Sequence, residues 1–192
     1  MSVEIKIAGV SGSLRKGSYN TMLLNSLHEL MPEGMKLEII QFDEVPLYNA
    51  DLDTPAAAQR PDAVIKLREQ LSHVDGLVIV SPEYNYSIPG GLKNAIDWVS
   101  RGKDSPLLNM PVALMGVTPN MWGTVRMQVA FHPVFEFLNM KPVYKPEITV
   151  AQAKDKFDGS GKLTDQTTRD LIQKKLAGLQ QLISEQKLRH KS

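Results

Sequence analysis

A doubly wound α/β architecture is predicted by two features of the chain. Short β-branched runs alternate with longer helical patterns along all 192 residues, and each run is separated from the next by a helix. Right-handed crossovers between parallel strands put helices on both faces of such a sheet. Ligands then bind beyond the carboxyl ends of the strands, where strand order reverses. The loops after the first, third and fourth runs, which border that position, have the most unusual compositions.

Residues 3–10 read as the first strand, and 20–31 as a helix with Met22, Leu23, Leu27 and Leu30 on one face. Residues 37–42 form a second strand. A helix over 61–73 follows, with Pro61 favourable in its first turn, and then the buried strand 77–80. A helix over 89–101 leads to the strand 112–115. Residues 123–139 have helical period, although Pro133 should kink or shorten that helix. A weaker strand is expected at 148–150, and 165–186 closes the chain as a long amphipathic helix with a frayed basic tail over 187–191. Residues 47–61 look like an irregular crossover, and 154–164, with Gly159 and Gly161, like an exposed turn.

The length suits one domain spanning 1–192. Lys and Arg number 22 against 21 Asp and Glu, a net charge of +1, so no global field directs the protein to nucleic acid or an anionic membrane. Apolar runs such as 77–80 fall far short of the ~20 residues that a bilayer requires. No basic segment followed by a long apolar run opens the chain, so a cytoplasmic location is expected. With no cysteine, disulfides, iron–sulfur clusters, thiolate zinc sites and thiol nucleophiles are all excluded. His28, His73, His132 and His190 show no metal-ligand spacing. Any redox chemistry must therefore be carried by something other than protein thiols, and the histidines read as solvated or singly hydrogen-bonded imidazoles rather than metal ligands.

Residues 9–20, Gly-Val-Ser-Gly-Ser-Leu-Arg-Lys-Gly-Ser-Tyr-Asn, join the first strand to the first helix and suit an anion. Gly12 and Gly17 permit turns, Ser13, Ser18 and Asn20 offer hydrogen bonds, Arg15 supplies a charged fork, and the helix start adds free N–H groups. The dinucleotide spacing G-x-G-x-x-G is absent. Gly12 and Gly17 have the P-loop glycine spacing, but Ser18 stands where that loop needs lysine. What remains is either a loop for one phosphate monoester or an ordinary strand-to-helix turn capped by Ser18 or Asn20.

After the third strand, Pro82-Glu83-Tyr84-Asn85-Tyr86-Ser87 and Pro89-Gly90-Gly91 supply a stiffened wall with aromatic surface and amide groups, suited to a flat heteroaromatic ring. A tyrosine-containing turn leading into a helix is the simpler alternative. Taken together, Gly12-Ser13-Leu14-Arg15 with Ser18 and Asn20, and residues 82–98, resemble the NADPH-dependent FMN reductase family, specifically its bacterial chromate and quinone reductase branch.

That resemblance extends over nearly the whole chain and implies a flavodoxin-like, five-stranded parallel sheet of order 2-1-3-4-5 with one FMN per subunit. It places the phosphate against Gly12, Ser13, Arg15, Ser18, Tyr19 and Asn20, and the isoalloxazine beside Pro82, Glu83, Tyr84 and Asn85. Gly116, Thr118 and Gly123, from the loop after the fourth strand, would close the other side. No catalytic side chain is implied, because the chemistry lies at N5 of the flavin. NAD(P)H would deliver hydride and leave before an acceptor takes its place, a ping-pong scheme. The acceptors implied are quinones, free flavins, azo dyes, ferric complexes and chromate. The family also implies a homo-oligomer, dimer or homotetramer, with Arg126 and Glu147 at subunit contacts and Phe131, Phe135 and Phe137 as either interface or core. Arg101 and Lys103 could draw anions or simply be solvated charges at a helix end. Two other readings stay open: a flavodoxin-like single-electron carrier, against which the near-zero charge and Arg15 count, and a non-catalytic flavin-binding protein.

Overall fold

The structure is a computed structural model that describes residues 4–189. The first residue of the predicted first strand and, in the basic tail, His190 and Lys191 lie outside that range. Five helices flank one parallel sheet: β1 (Ile5–Ser11), α1 (Tyr19–Ser26), β2 (Met35–Ile39), α2 (Asp62–Ser72), β3 (Gly76–Val80), α3 (Gly90–Val99), β4 (Pro111–Val117), α4 (Val125–Phe137), β5 (Lys141–Pro142), β6 (Ile148–Val150) and α5 (Gln166–Arg189). Strand order is β2-β1-β3-β4-β5, with β6 also paired to β4, the flavodoxin-like order that the motifs imply.

Side chains alternate across the sheet as strand geometry requires. Ile7, Val78, Val80, Ala113 and Met115 pack against Leu23, Leu24 and Leu27 of α1 and its 3₁₀ extension, and against Ile172, Leu176 and Leu179 of α5. Ala8, Val10, Leu77, Ile79, Val112 and Leu114 face Leu67 and Leu71 of α2, Leu92 and Ile96 of α3, and Met127 and Phe131 of α4. Phe131 and Phe135 are therefore core, whereas Phe137 is 77% exposed.

Three expectations need correction. The fifth sheet position is two short strands rather than one: β5 pairs with Pro111 and Val112, β6 with Met115 to Val117, and residues 143–147 bulge between them. The helix expected over 123–139 is α4, shorter at both ends, with Pro133 inside it. Residues 154–164 are more than an exposed turn, because Phe157 and Leu163 pair in a bridge and both are buried. Finally, α5 continues through Arg189, and Lys187 within it reaches Asp75 at 2.7 Å. Its start is set by Asp165, which accepts the Thr168 N–H at 2.9 Å. The Lys156 ammonium, with further hydrogen bonds from Thr168, holds the Asp165 carboxyl down to about 2.

The bulge is tied down by Lys175 of α5, whose buried Nζ donates to the carbonyls of Val143 (2.8 Å) and Pro146 (3.0 Å). Burial pushes this ammonium down to about 8 from the ordinary 10.5. Between those values the unfolded chain holds a proton that the folded chain has released, so stability should rise with pH across this window, by at most about 3 kcal/mol. Urea unfolding from about pH 7.5 to about pH 10 tests this. The rise should vanish in Lys175→Met, and equal slopes in the two proteins would contradict it.

Candidate active site

The carboxyl ends of β1, β3 and β4 lie side by side, and three loops leave from them. Gly12 N–H donates to Val80 O (2.9 Å) at the start of the first loop, and a Cβ at this position would overlap Ser81 Oγ. Gly12 is thus needed for close approach between the first two loops. Gly17 has φ +69°, a left-handed turn that favours glycine. Ser18 Oγ accepts Asn20 N–H (3.2 Å) and caps α1, and Ser13 Oγ accepts Arg15 N–H (3.3 Å). Among the described residues, no acceptor meets the N–H groups of Gly17, Ser18 and Tyr19. These donors stand at the positive end of α1 beside the exposed Arg15, a donor set that fits a phosphate. The Tyr19 ring turns inward instead and packs on Phe157, with centroids 5.5 Å apart.

The second loop contains a two-residue hairpin. Tyr84 N–H donates to Ser87 O (3.1 Å) and Ser87 N–H to Tyr84 O (3.0 Å), while Asn85 and Tyr86 both take positive φ, +49° and +64°. Such turns need that conformation at both central residues, and asparagine tolerates it far better than tyrosine.

Glu83, just before this hairpin, reaches across to α4. Its Oε2 accepts the N–H groups of Arg126 (2.9 Å) and Met127 (3.1 Å), and its Oε1 accepts from Arg126 Nη1 (2.9 Å). Thr124, the residue at the N-cap position, makes no side-chain cap of its own, so Glu83 supplies from another loop what the local sequence lacks. The Arg126 guanidinium also lies 4.0 Å above the Tyr86 ring.

In the third loop, Thr118 N–H donates to Val150 O (2.9 Å), and Asn120 O accepts from Gln152 (3.0 Å). Gly116 is buried within β4, and Gly123, at φ +61°, packs against Thr149. Between the second and third loops lies a cavity of about 590 Å³, lined by Glu83, Asn85, Tyr86, Thr118, Asn120, Trp122, Gly123 and Arg126.

The structure thus brings most of the predicted residues to one end of the sheet, in two halves. Gly12, Ser13, Arg15 and Ser18 belong to the anion-binding loop. Glu83, Asn85, Thr118 and Gly123 line the cavity, whereas Pro82 and Tyr84 are not among its lining residues. The Asn20 amide is engaged with β4, and Gly116 serves close packing. Arg126 is paired within the chain, while Glu147 pairs with Lys145 on the bulge. Tyr86 comes from the motif already read as an aromatic wall, whereas Asn120 and Trp122 were not carried over as site residues, although a tryptophan in a Pro-Asn-Met-Trp-Gly loop after a strand was an available signal. Among the described residues, no group of three His, Cys, Asp or Glu side chains is placed to hold a metal ion, and no helix is long and apolar enough to cross a membrane.

A strand-end cavity and a hydroxyl-rich anion loop at the same end of a 2-1-3-4-5 sheet define a flavodoxin-like protein with a site suited to a phosphorylated flat ring. The chain belongs to the NADPH-dependent FMN reductase family, whose model matches residues 5–155. It is 43% identical over 180 residues to an NAD(P)H-dependent FMN reductase of Pseudomonas aeruginosa, covering 94% of this chain and 96% of the relative. It is 37% identical over 190 residues to a quinone reductase of Escherichia coli, covering 98% and 100%. Among solved structures, the flavoenzyme NAD(P)H:(acceptor) oxidoreductase from Paracoccus denitrificans superposes with a TM-score of 0.83 at 28% identity, covering 94% of this chain and 98% of that one. FMN is the cofactor and NAD(P)H the reductant.

Proposed function

We propose that this protein is an FMN-dependent NAD(P)H oxidoreductase that reduces quinones and, more broadly, free flavins, chromate, azo dyes and ferric complexes. The observation that carries this reading is the placement of the anion loop at α1 and of the cavity between the hairpin and the Thr118–Gly123 loop at the same end of the sheet. FMN, when bound, supplies a centre that takes up hydride and returns electrons singly or in pairs. The chain's own work is binding and orientation. Ser13, Arg15, Ser18 and the unpartnered N–H groups of Gly17, Ser18 and Tyr19 would hold the phosphate, backbone of the second and third loops would border the ring, and Tyr86 and Trp122 would shield its edge.

Within the cavity the carboxylate of Glu83 is engaged by α4 and Arg126. This supports a mechanism without a protein acid or base. One small domain over 1–192 and one open cavity favour reductant and acceptor using the same face in turn. The names of the quinone reductase relatives support quinones as the acceptor class. The balanced charge supports a small-molecule enzyme of the cytoplasm without nucleic-acid or membrane partners. Val125, Val129 and Tyr144 expose apolar surface on the side of Arg126 and Glu147, which favours a homo-oligomer, dimer or tetramer, through that side. Sedimentation at micromolar concentration should show it, and a monomer would remove that part of the reading.

The decisive test is enzymatic. The purified protein should be yellow and oxidise NADPH steadily when a quinone is present, with parallel double-reciprocal lines as quinone is varied. A colourless protein that takes up no FMN would end the proposal. A stable ternary complex of enzyme, NADPH and quinone would overturn the shared-face scheme.

A further inference from the structure

A buried amide joins the two halves of the site, the phosphate loop and the loop after β4. Asn20 lies in the first turn of α1, two residues after the capping Ser18. Its Nδ2 donates to Val117 O (2.9 Å) and its Oδ1 accepts from Val117 N–H (3.0 Å). The backbone explains why β4 needs this partner. β3 ends at Val80, Ser81 N–H still donates to Met115 O (3.0 Å), and the chain then turns away at Pro82, which has no N–H. The β3-facing edge of β4 beyond Met115 therefore has no strand beside it, although β6 pairs with the other edge, and the Asn20 amide takes the place of a peptide group there. Val117 immediately precedes Thr118, the first residue of the loop that lines the cavity.

We propose that Asn20 is a positioning residue rather than a phosphate ligand. Its paired hydrogen bonds fix the distance between the anion loop and the ring-binding loop, so that one FMN spans both with its phosphate and ring already in register. The proposal rests on the reading of this site as an FMN site. Coupling two subsites through one ligand raises affinity only while their geometry permits simultaneous engagement, so loss of the strut should affect FMN and spare its separate parts.

Asn20→Ala tests this in the full chain. It removes both hydrogen bonds to Val117 without adding a charge beside the anion loop. Should that chain not fold, Asn20→Ser keeps a small uncharged polar group there. Binding of FMN, of riboflavin, which lacks the phosphate, and of inorganic phosphate is measured well below the thermal midpoint of each protein. The expected result is an FMN dissociation constant raised by about 10- to 100-fold, with those of riboflavin and phosphate within a factor of about two of wild type. In the FMN-free protein the Val117 amide should also exchange faster with solvent. A phosphate constant that rises together with that of FMN would overturn the proposal by making Asn20 a direct ligand. Unchanged FMN binding would overturn it by making the contact a matter of stability alone. A wild-type protein that binds no FMN would instead overturn the underlying functional reading, and this proposal with it.

Discussion

Replacing Gly116 by alanine should lower stability by about 3 kcal/mol and the thermal midpoint by about 6 to 12 °C. A Cβ at this position would overlap Thr124 Oγ1 and stand 2.5 Å from Ser81 O. Backbone on one side and the entry to α4 on the other leave no flexible side chain to absorb the added atom. β4 would have to move away from the start of α4 or from the β3–α3 loop, and either shift opens the cavity. Calorimetry against Gly159→Ala, where nothing lies within 4 Å of the added carbon, separates this packing effect from general changes in backbone entropy. The control should stay within about 0.5 kcal/mol of wild type. A Gly116→Ala protein as stable as the control would refute the account.

Glu83→Ala should have the next largest effect, about 2 to 3 kcal/mol. The change removes the acceptor for two backbone N–H groups at the start of α4 and leaves the Arg126 guanidinium without its carboxylate. Arg126 is partly exposed, with its side chain 41% accessible, so screening limits the ion pair to a minor share and the cap carries most of the loss. Glu83→Gln keeps one oxygen that can accept from the helix and should lose about half as much. Hydrogen exchange gives the local signature: the amides of Arg126 and Met127 should open faster in Glu83→Ala while those in α5 change little. Uniform loosening across the chain would instead point to a general destabilisation.

Much of this molecule could be read along the chain. The alternation of β-branched runs with helical periods located every major element to within a few residues, because each amphipathic face carries its own period. The anion loop was legible for a similar reason: its glycines, serines and arginine are consecutive, and their chemistry is local. Where the reading fell short, the deciding partner was distant. The bulge between β5 and β6 depends on Lys175 reaching residues about thirty positions away. The family resemblance put Asn20 at the phosphate, whereas its amide is engaged with β4 across 97 residues. Glu83 sits in a ring-binding motif, yet its carboxylate belongs to a helix that begins more than forty residues later.

By itself, then, the sequence determined the class of fold and the flavin-reductase family, and pointed to the three loops at the candidate site. With no cysteine it also excluded thiol chemistry, since composition suffices for that conclusion. Only the tertiary structure decided which polar side chains line the cavity and which hold the loops together. A buried hydrogen-bonding group must be satisfied by whatever stands within about 3 Å of it, and that neighbour is set by the packing of the sheet, not by position along the chain.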